Sequence, residues 1–169
     1  MRRILIPVDG SGNCQFAVKY VIKEFMNNSA MEIHLLNVQT PFTRDISRFV
    51  SRKTVHDYHR DEADKVLGPI KQTLDGFSIP YSAHAEMGER AKTIADAARR
   101  LRCDQIVMST ARKNSLTRLV ENSVTNRVLE LTDVPVEIIA GDAVSRWERY
   151  GIPAGIGTAL ALLFLAAAN

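Results

Sequence analysis

Two short apolar runs, Gln105–Met108 and Val134–Ala140, bracket a segment that carries helix signals, and this arrangement limits the fold more than any other feature. The first run is partly β-branched and reads as a strand. A polar, basic loop follows from Ser109 to Ser115. Asn122-Ser123 then offers an N-cap for a helix running to about Leu131, and Val134–Ala140 reads as a second strand. Strand, loop, helix and strand make a βαβ unit. In such a unit the loop lies at the carboxyl end of the sheet, where open α/β folds place ligands. The free N–H groups and positive dipole end of the helix suit an anion there. Phosphate loops use glycine to turn tightly and come close to the anion, yet this loop contains none.

Upstream, Arg3–Val8 is a continuous apolar run ending at Asp9-Gly10-Ser11-Gly12, as expected of a buried parallel strand that opens onto a turn. Phe16, Ala17, Tyr20, Val21 and Phe25 recur at helical spacing up to Asn27-Asn28, and Glu32–Val38 reads as the next strand. Pro41–Val55 has no clear period and carries Arg44, Arg48, Arg52 and Lys53. It reads as a solvated connection, with a patch for phosphate or an acidic partner as the sharper alternative. A helix is expected from about Thr54 to Leu74, kinked or ended near Leu67 by Gly68-Pro69. Tyr81–Glu86 alternates as a strand. Gly88–Leu101 is a helix with Ile94, Ala97, Ala98 and Leu101 on its apolar stripe. Strands alternating with helices predict a single α/β domain, a five-stranded parallel sheet with helices on both faces.

Composition agrees with one globular domain. The chain has 169 residues, 46% hydrophobic and 24% charged, so a substantial core is expected. A net charge of +3 does not call for nucleic acid. Cys14 and Cys103 lack CxxC spacing and read as small buried hydrophobes of a reduced, cytoplasmic chain. Met1-Arg2-Arg3 is basic, but the apolar run after it is too short for a signal peptide.

Several separated motifs carry a resemblance: Pro7-Val8-Asp9-Gly10-Ser11, Leu35-Leu36-Asn37-Val38, Gly88-Glu89-Arg90-Ala91 through Asp104-Gln105-Ile106-Val107-Met108, and Ser123-Val124 through Pro135-Val136. In this order, over Met1 to Ala140, the chain resembles the universal stress protein family. The resemblance implies an adenine-nucleotide alpha-hydrolase-like fold, a homodimer and a regulatory or protective role under stress without enzymatic activity. One branch of that family binds ATP and the other does not. The ATP branch carries three glycines, the last followed by Ser or Thr. Aligned on Ser123, those glycines fall on Ser109, Arg112 and Asn122. Were ATP the cofactor, the resemblance would place Asp9 and Val38 against the nucleoside. Ser109, Arg112, Asn122, Ser123 and Val124 would line the phosphates. Arg112 could fill the phosphate space or supply a bidentate contact. Asp9 also reads as a strand-end turn former, and Ser123 as a plain N-cap. The missing glycines favour a module that works through protein–protein contact without tight ATP binding. The resemblance also points to Val134–Ile139 as the dimer-pairing strand, since an edge strand needs a partner or a cover.

Other chemistry is thin. His56 and His59 are spaced for one helix face, a spacing that can bind metal, but no third ligand is evident and both read as surface residues. His34 and His84 each sit within a strand. No Ser/His/Asp or Cys/His order stands out and the Walker pattern is absent, so neither a metal nor a dedicated catalyst is expected.

Beyond residue 141 the composition shifts. Residues 142–151 form a basic, aromatic linker that includes Val144–Tyr150, and Ile152–Ala168 carries no charge before the chain stops at Asn169. As a helix this run would span about 25 Å, just short of a bilayer core of about 30 Å. One reading is a tail anchor on the cytoplasmic face, with Arg146 and Arg149 inside and the domain as accessory subunit of a transporter or sensor. The other is a helix packed on the domain or across a dimer.

Overall fold

The computed structural model describes residues 1–42, 52–112 and 124–143, and of these the side chains of Arg52, His56, Ala111, Arg112, Asp142 and Ala143 are not described. The elements are β1 (Arg2–Pro7), α1 (Cys14–Asn27), β2 (Met31–Gln39), α2 (Arg52–Gly76), β3 (Tyr81–Met87), α3 (Arg90–Arg100), β4 (Gln105–Arg112), α4 (Val124–Leu131) and β5 (Val136–Ala143). All strand pairs are parallel, in the order β3-β2-β1-β4-β5. The expected five-stranded parallel sheet is therefore present.

Alternation along the central strands divides the core in two. Ile4 and Ile6 of β1, Ile33 and Leu35 of β2 and Val107 of β4 pack with Ala17, Val18 and Val21 of α1 and Leu67, Ile70 and Leu74 of α2. Leu5, Leu36, Ile106 and Met108 point the other way, onto Ala91, Ile94, Ala97 and Ala98 of α3 and Val128 of α4. Because helices cover both faces, these strands are apolar at successive positions. The buried face of α1 also takes in Cys14, Val18 and Ile22, and Tyr20 and Phe25 are only half-buried beside it. The Tyr20 phenol donates to Glu137, which holds α1 to β5 and pushes the phenol pKa up to about 12.

Two expectations need correction. The segment around Gly68-Pro69 neither ends nor divides the helix: α2 is continuous across it. Ala63, Leu67, Ile70 and Leu74 keep one buried face through the proline, while Pro69 lies on the exposed face. The Lys65 carbonyl that loses its partner there belongs to an exposed residue that water can reach. Ser109 is also not in the expected loop but in a strand. Residues 109–112 continue β4, with Ser109 opposite Ile139, Thr110 opposite Ala140 and Arg112 opposite Ala143 across a small irregularity. Their partner is available because β5 runs to Ala143; it begins at Val136, two residues after Val134.

Glu89 caps α3: its carboxylate accepts from the Ala91 and Lys92 amides at 3.2 and 2.8 Å, and these bonds hold its pKa below the usual carboxylate range. Arg99 and Arg100 occupy the last turn, complementing the dipole. Arg44, Arg48, most of the 142–151 linker and the 152–169 run lie outside the described residues. Among the described residues no helix is long and apolar enough to cross a membrane.

Candidate functional site

The chain leaves β1 toward β2 and β3 on one side, then returns to β4 and β5 on the other. The strand order thus reverses between β1 and β4, and a cleft opens at their carboxyl ends, where such sheets bind ligands. Val8, Asp9, Val38, Met108, Ser109 and Val124 line it. Four of the seven expected site residues, Asp9, Val38, Ser109 and Val124, are therefore brought together. Arg112 ends β4, and its side chain is not described; Asn122 and Ser123 lie outside the described residues.

Asp9 forms the lip. One carboxylate oxygen accepts from the Ser11 amide at 2.9 Å and from the Ser11 hydroxyl at 2.7 Å. Gly10 between them has φ of +78°, and a Cβ there would come within 3.2 Å of Val66 in α2, so both backbone and space favour glycine. Behind the lip, the buried Asn37 amide donates to the Val8 carbonyl at 2.8 Å. Its oxygen accepts from Gln39 Nε2 at 3.2 Å, and Gln39 Nε2 also donates to the His59 carbonyl at 3.0 Å. Gln39 Oε1 is thereby left as an acceptor for His59 Nδ1, 2.6 Å away, so Nδ1 carries the proton. A polar chain thus ties the end of β1 to β2 and α2. It also corrects the surface reading of His59, which is buried because Gln39 provides its partner.

Burial pushes the Cys14 thiol up, and Asp9 pushes it the same way, so the sulfur at the base of the cleft stays protonated. His34 and His84 meet on β2 and β3, Nδ1 to Nε2 at 3.2 Å, with Glu32 3.3 Å from the other His34 nitrogen. Among the described residues no group of three His, Cys, Asp or Glu could hold a metal ion.

Arg90 and Thr125 also line the cleft and were not anticipated from sequence. The signal for Arg90 was available: it opens a helix directly after a strand, which puts it at the carboxyl edge of the sheet.

At the Ser109 edge of the cleft, residues 109–112 differ from an anion cradle. An anion-binding nest needs successive N–H groups turned to one point. Residues 109–112 run as strand, and an extended strand sends successive N–H groups to opposite sides. Ser109 further adds a Cβ where close backbone approach would be required.

Comparison with known proteins gives a consistent result. The family model described as Universal stress protein family matches residues 1–140. A universal stress protein of Methanocaldococcus jannaschii is 29% identical over 144 residues, covering 82% of this chain and 81% of that protein. The structure of universal stress protein UspA from Lactobacillus plantarum superposes with a TM-score of 0.65 at 23% identity, covering 82% of this chain and 97% of the other. A universal stress family protein from Arabidopsis thaliana with AMP bound gives 0.61 at 19% identity, covering 85% and 94%.

Proposed function

Because this chain belongs to the universal stress protein family, we propose that it is a non-catalytic, stress-related regulatory module that does not hold ATP through its phosphates and works by contact with other protein chains. The observation that carries this reading is the continuation of β4 through Ser109–Arg112, where a phosphate-binding backbone would have to turn. A second copy of the chain is the first partner to expect. β5 is an edge strand paired on one side only among the described residues, and Ile138 on it is 42% exposed.

A second reading has its own support. Asp9, Val38, Ser109 and Val124 all line one cleft, and the Arabidopsis neighbour holds AMP. In that reading the chain is an ATP-dependent switch and Arg112 replaces the backbone contacts. Isothermal titration of the full chain with ATP decides between them. The first reading predicts no saturable heat up to millimolar ATP. Micromolar binding that disappears in Arg112→Ala would establish the second.

A further inference from the structure

The sheet has two edges, and β5 is only one of them. β3 is the other, paired with β2 alone among the described residues. The Gly88 amide, just past the end of β3, donates to the Gln39 carbonyl of β2 at 2.9 Å. Backbone groups alternate sides along a strand, so Glu86, His84 and Ser82 also face β2. Tyr81, Ala83, Ala85 and Met87 therefore turn their N–H and C=O groups outward.

Proteins commonly blunt such an edge with lysine, proline or a bulge. β3 has none of these. Its sequence is YSAHAEM, and it stays in continuous register with β2, from Tyr81 opposite Ile33 to Met87 opposite Gln39. Ala83 and Ala85 are exposed and small enough to leave the backbone open, and Met87 is 52% exposed. The polar ends of the strand's longer side chains are turned back onto their own chain: His84 Nε2 lies 3.2 Å from His34 Nδ1, and Glu86 pairs with Arg100 of α3. A groove of about 350 Å³, lined by Gln39, His59, Ala85 and Met87, opens between β3 and α2, so that helix leaves this end of the strand uncovered.

We propose that β3 is a second self-association edge, at which two copies of the chain pair antiparallel about His84. The strand is self-complementary in that register. Tyr81 meets Met87 of the second copy and Ala83 meets its Ala85, and each pair exchanges two backbone bonds because those groups already point outward. A ring then faces a thioether, a favourable contact. On the other face Glu86 meets a serine, Ser82 of the second copy, rather than another carboxylate. Shifting the register by two residues carries the ladder past the ends of the strand, to Ile79 in one direction and Gly88 in the other. This self-match selects a second copy as the occupant. The contact is one strand wide, so it is a small, weak interface that forms at about 0.1–1 mM chain. It is distinct from the β5 pairing proposed above and does not rest on it.

The test is sedimentation equilibrium of the full chain carrying Ile138→Lys, which leaves β5 out of the measurement, from about 10 µM to about 1 mM. The expected result is a rise from monomer to dimer mass across that range. Adding Ala85→Pro removes an outward N–H without touching the β2 ladder, and adding Ala85→Lys puts a charge on the edge; each should weaken pairing at least about tenfold. Circular dichroism verifies that these variants are folded. Leu129→Lys, on an exposed residue of α4, should leave pairing unchanged. Oxidation of a mixture of Ser82→Cys and Glu86→Cys chains should give the mixed disulfide dimer in preference to either like pair, which fixes the register. A chain still monomeric at about 1 mM overturns the proposal, whether another segment of the chain or a different protein takes the edge. Pairing that survives both Ala85 substitutions overturns it as well. Because β5 is blocked throughout, failure here and failure of the β5 pairing are distinguishable.

Discussion

Asn37→Leu isolates the polar chain that shapes the cleft. The Asn37 side chain is 3% exposed and makes two bonds, to the Val8 carbonyl at 2.8 Å and from Gln39 at 3.2 Å. Leucine has a similar size and neither group. The Val8 carbonyl, on a residue that is itself buried, would lose its side-chain donor, at a cost of about 1–3 kcal/mol. Losing the Gln39 bond adds about 0.5–1.5 kcal/mol, softened because Gln39 Nε2 keeps its bond to the His59 carbonyl. The added apolar burial of leucine offsets part of this, leaving a net loss of about 2–3 kcal/mol. For a domain of this size that lowers Tm by roughly 5–10 °C. Urea unfolding followed by circular dichroism measures it, and the midpoint should fall with the slope unchanged. Asn37→Asp should cost more at neutral pH, because a buried carboxylate would face a carbonyl with no proton between them. A loss below about 0.5 kcal/mol for Asn37→Leu would refute the reasoning, since the Val8 carbonyl would then not depend on this donor.

Three further outcomes follow from the same structure. Burial holds the His34 pKa below its ordinary 6.5, against the pull of Glu32 and with the help of His84. The stability from keeping His34 neutral is therefore complete above about pH 6.5 and is lost as pH falls through the lower folded value. Thermal midpoints should decline on acidification from neutrality, and His34→Gln should flatten that decline; an unchanged profile would count against it. Burial likewise pushes the Cys103 thiol up to about 11, and Cys14 is raised too, so both thiols should react with a thiol reagent only on unfolding. Rapid labelling of either in the native protein would contradict the packing described. Ile138→Lys should convert a dimer to a monomer in size-exclusion chromatography with light scattering, if β5 pairs two copies; an unchanged mass would remove β5 as the interface.

Much of the fold was legible because the central strands are buried on both faces and read as unbroken apolar runs. The turn Asp9-Gly10-Ser11 and the order of the motifs also located the cleft, and Asp9, Val38, Ser109 and Val124 meet there. The errors came from information that is not local. Pro69 is tolerated because it falls on the solvent face of α2, and which face that is depends on where β2 and β3 lie. Ser109–Arg112 is polar and reads as loop, yet β5 extends far enough to pair with it. His59 looks like a surface residue until Gln39, from a different element, is placed beside it.

The proposal that this chain does not hold ATP through its phosphates rests on the strand path of residues 109–112 and on Ser109, Arg112 and Asn122 standing where glycines would be. Paired ATP titrations of the native chain and of a variant carrying Ser109→Gly, Arg112→Gly and Asn122→Gly test it most directly. The account predicts no saturable heat from the native chain and measurable binding once the three glycines are present. Equal, tight binding by both would contradict it, because the missing glycines would then have no bearing on how this cleft holds phosphate.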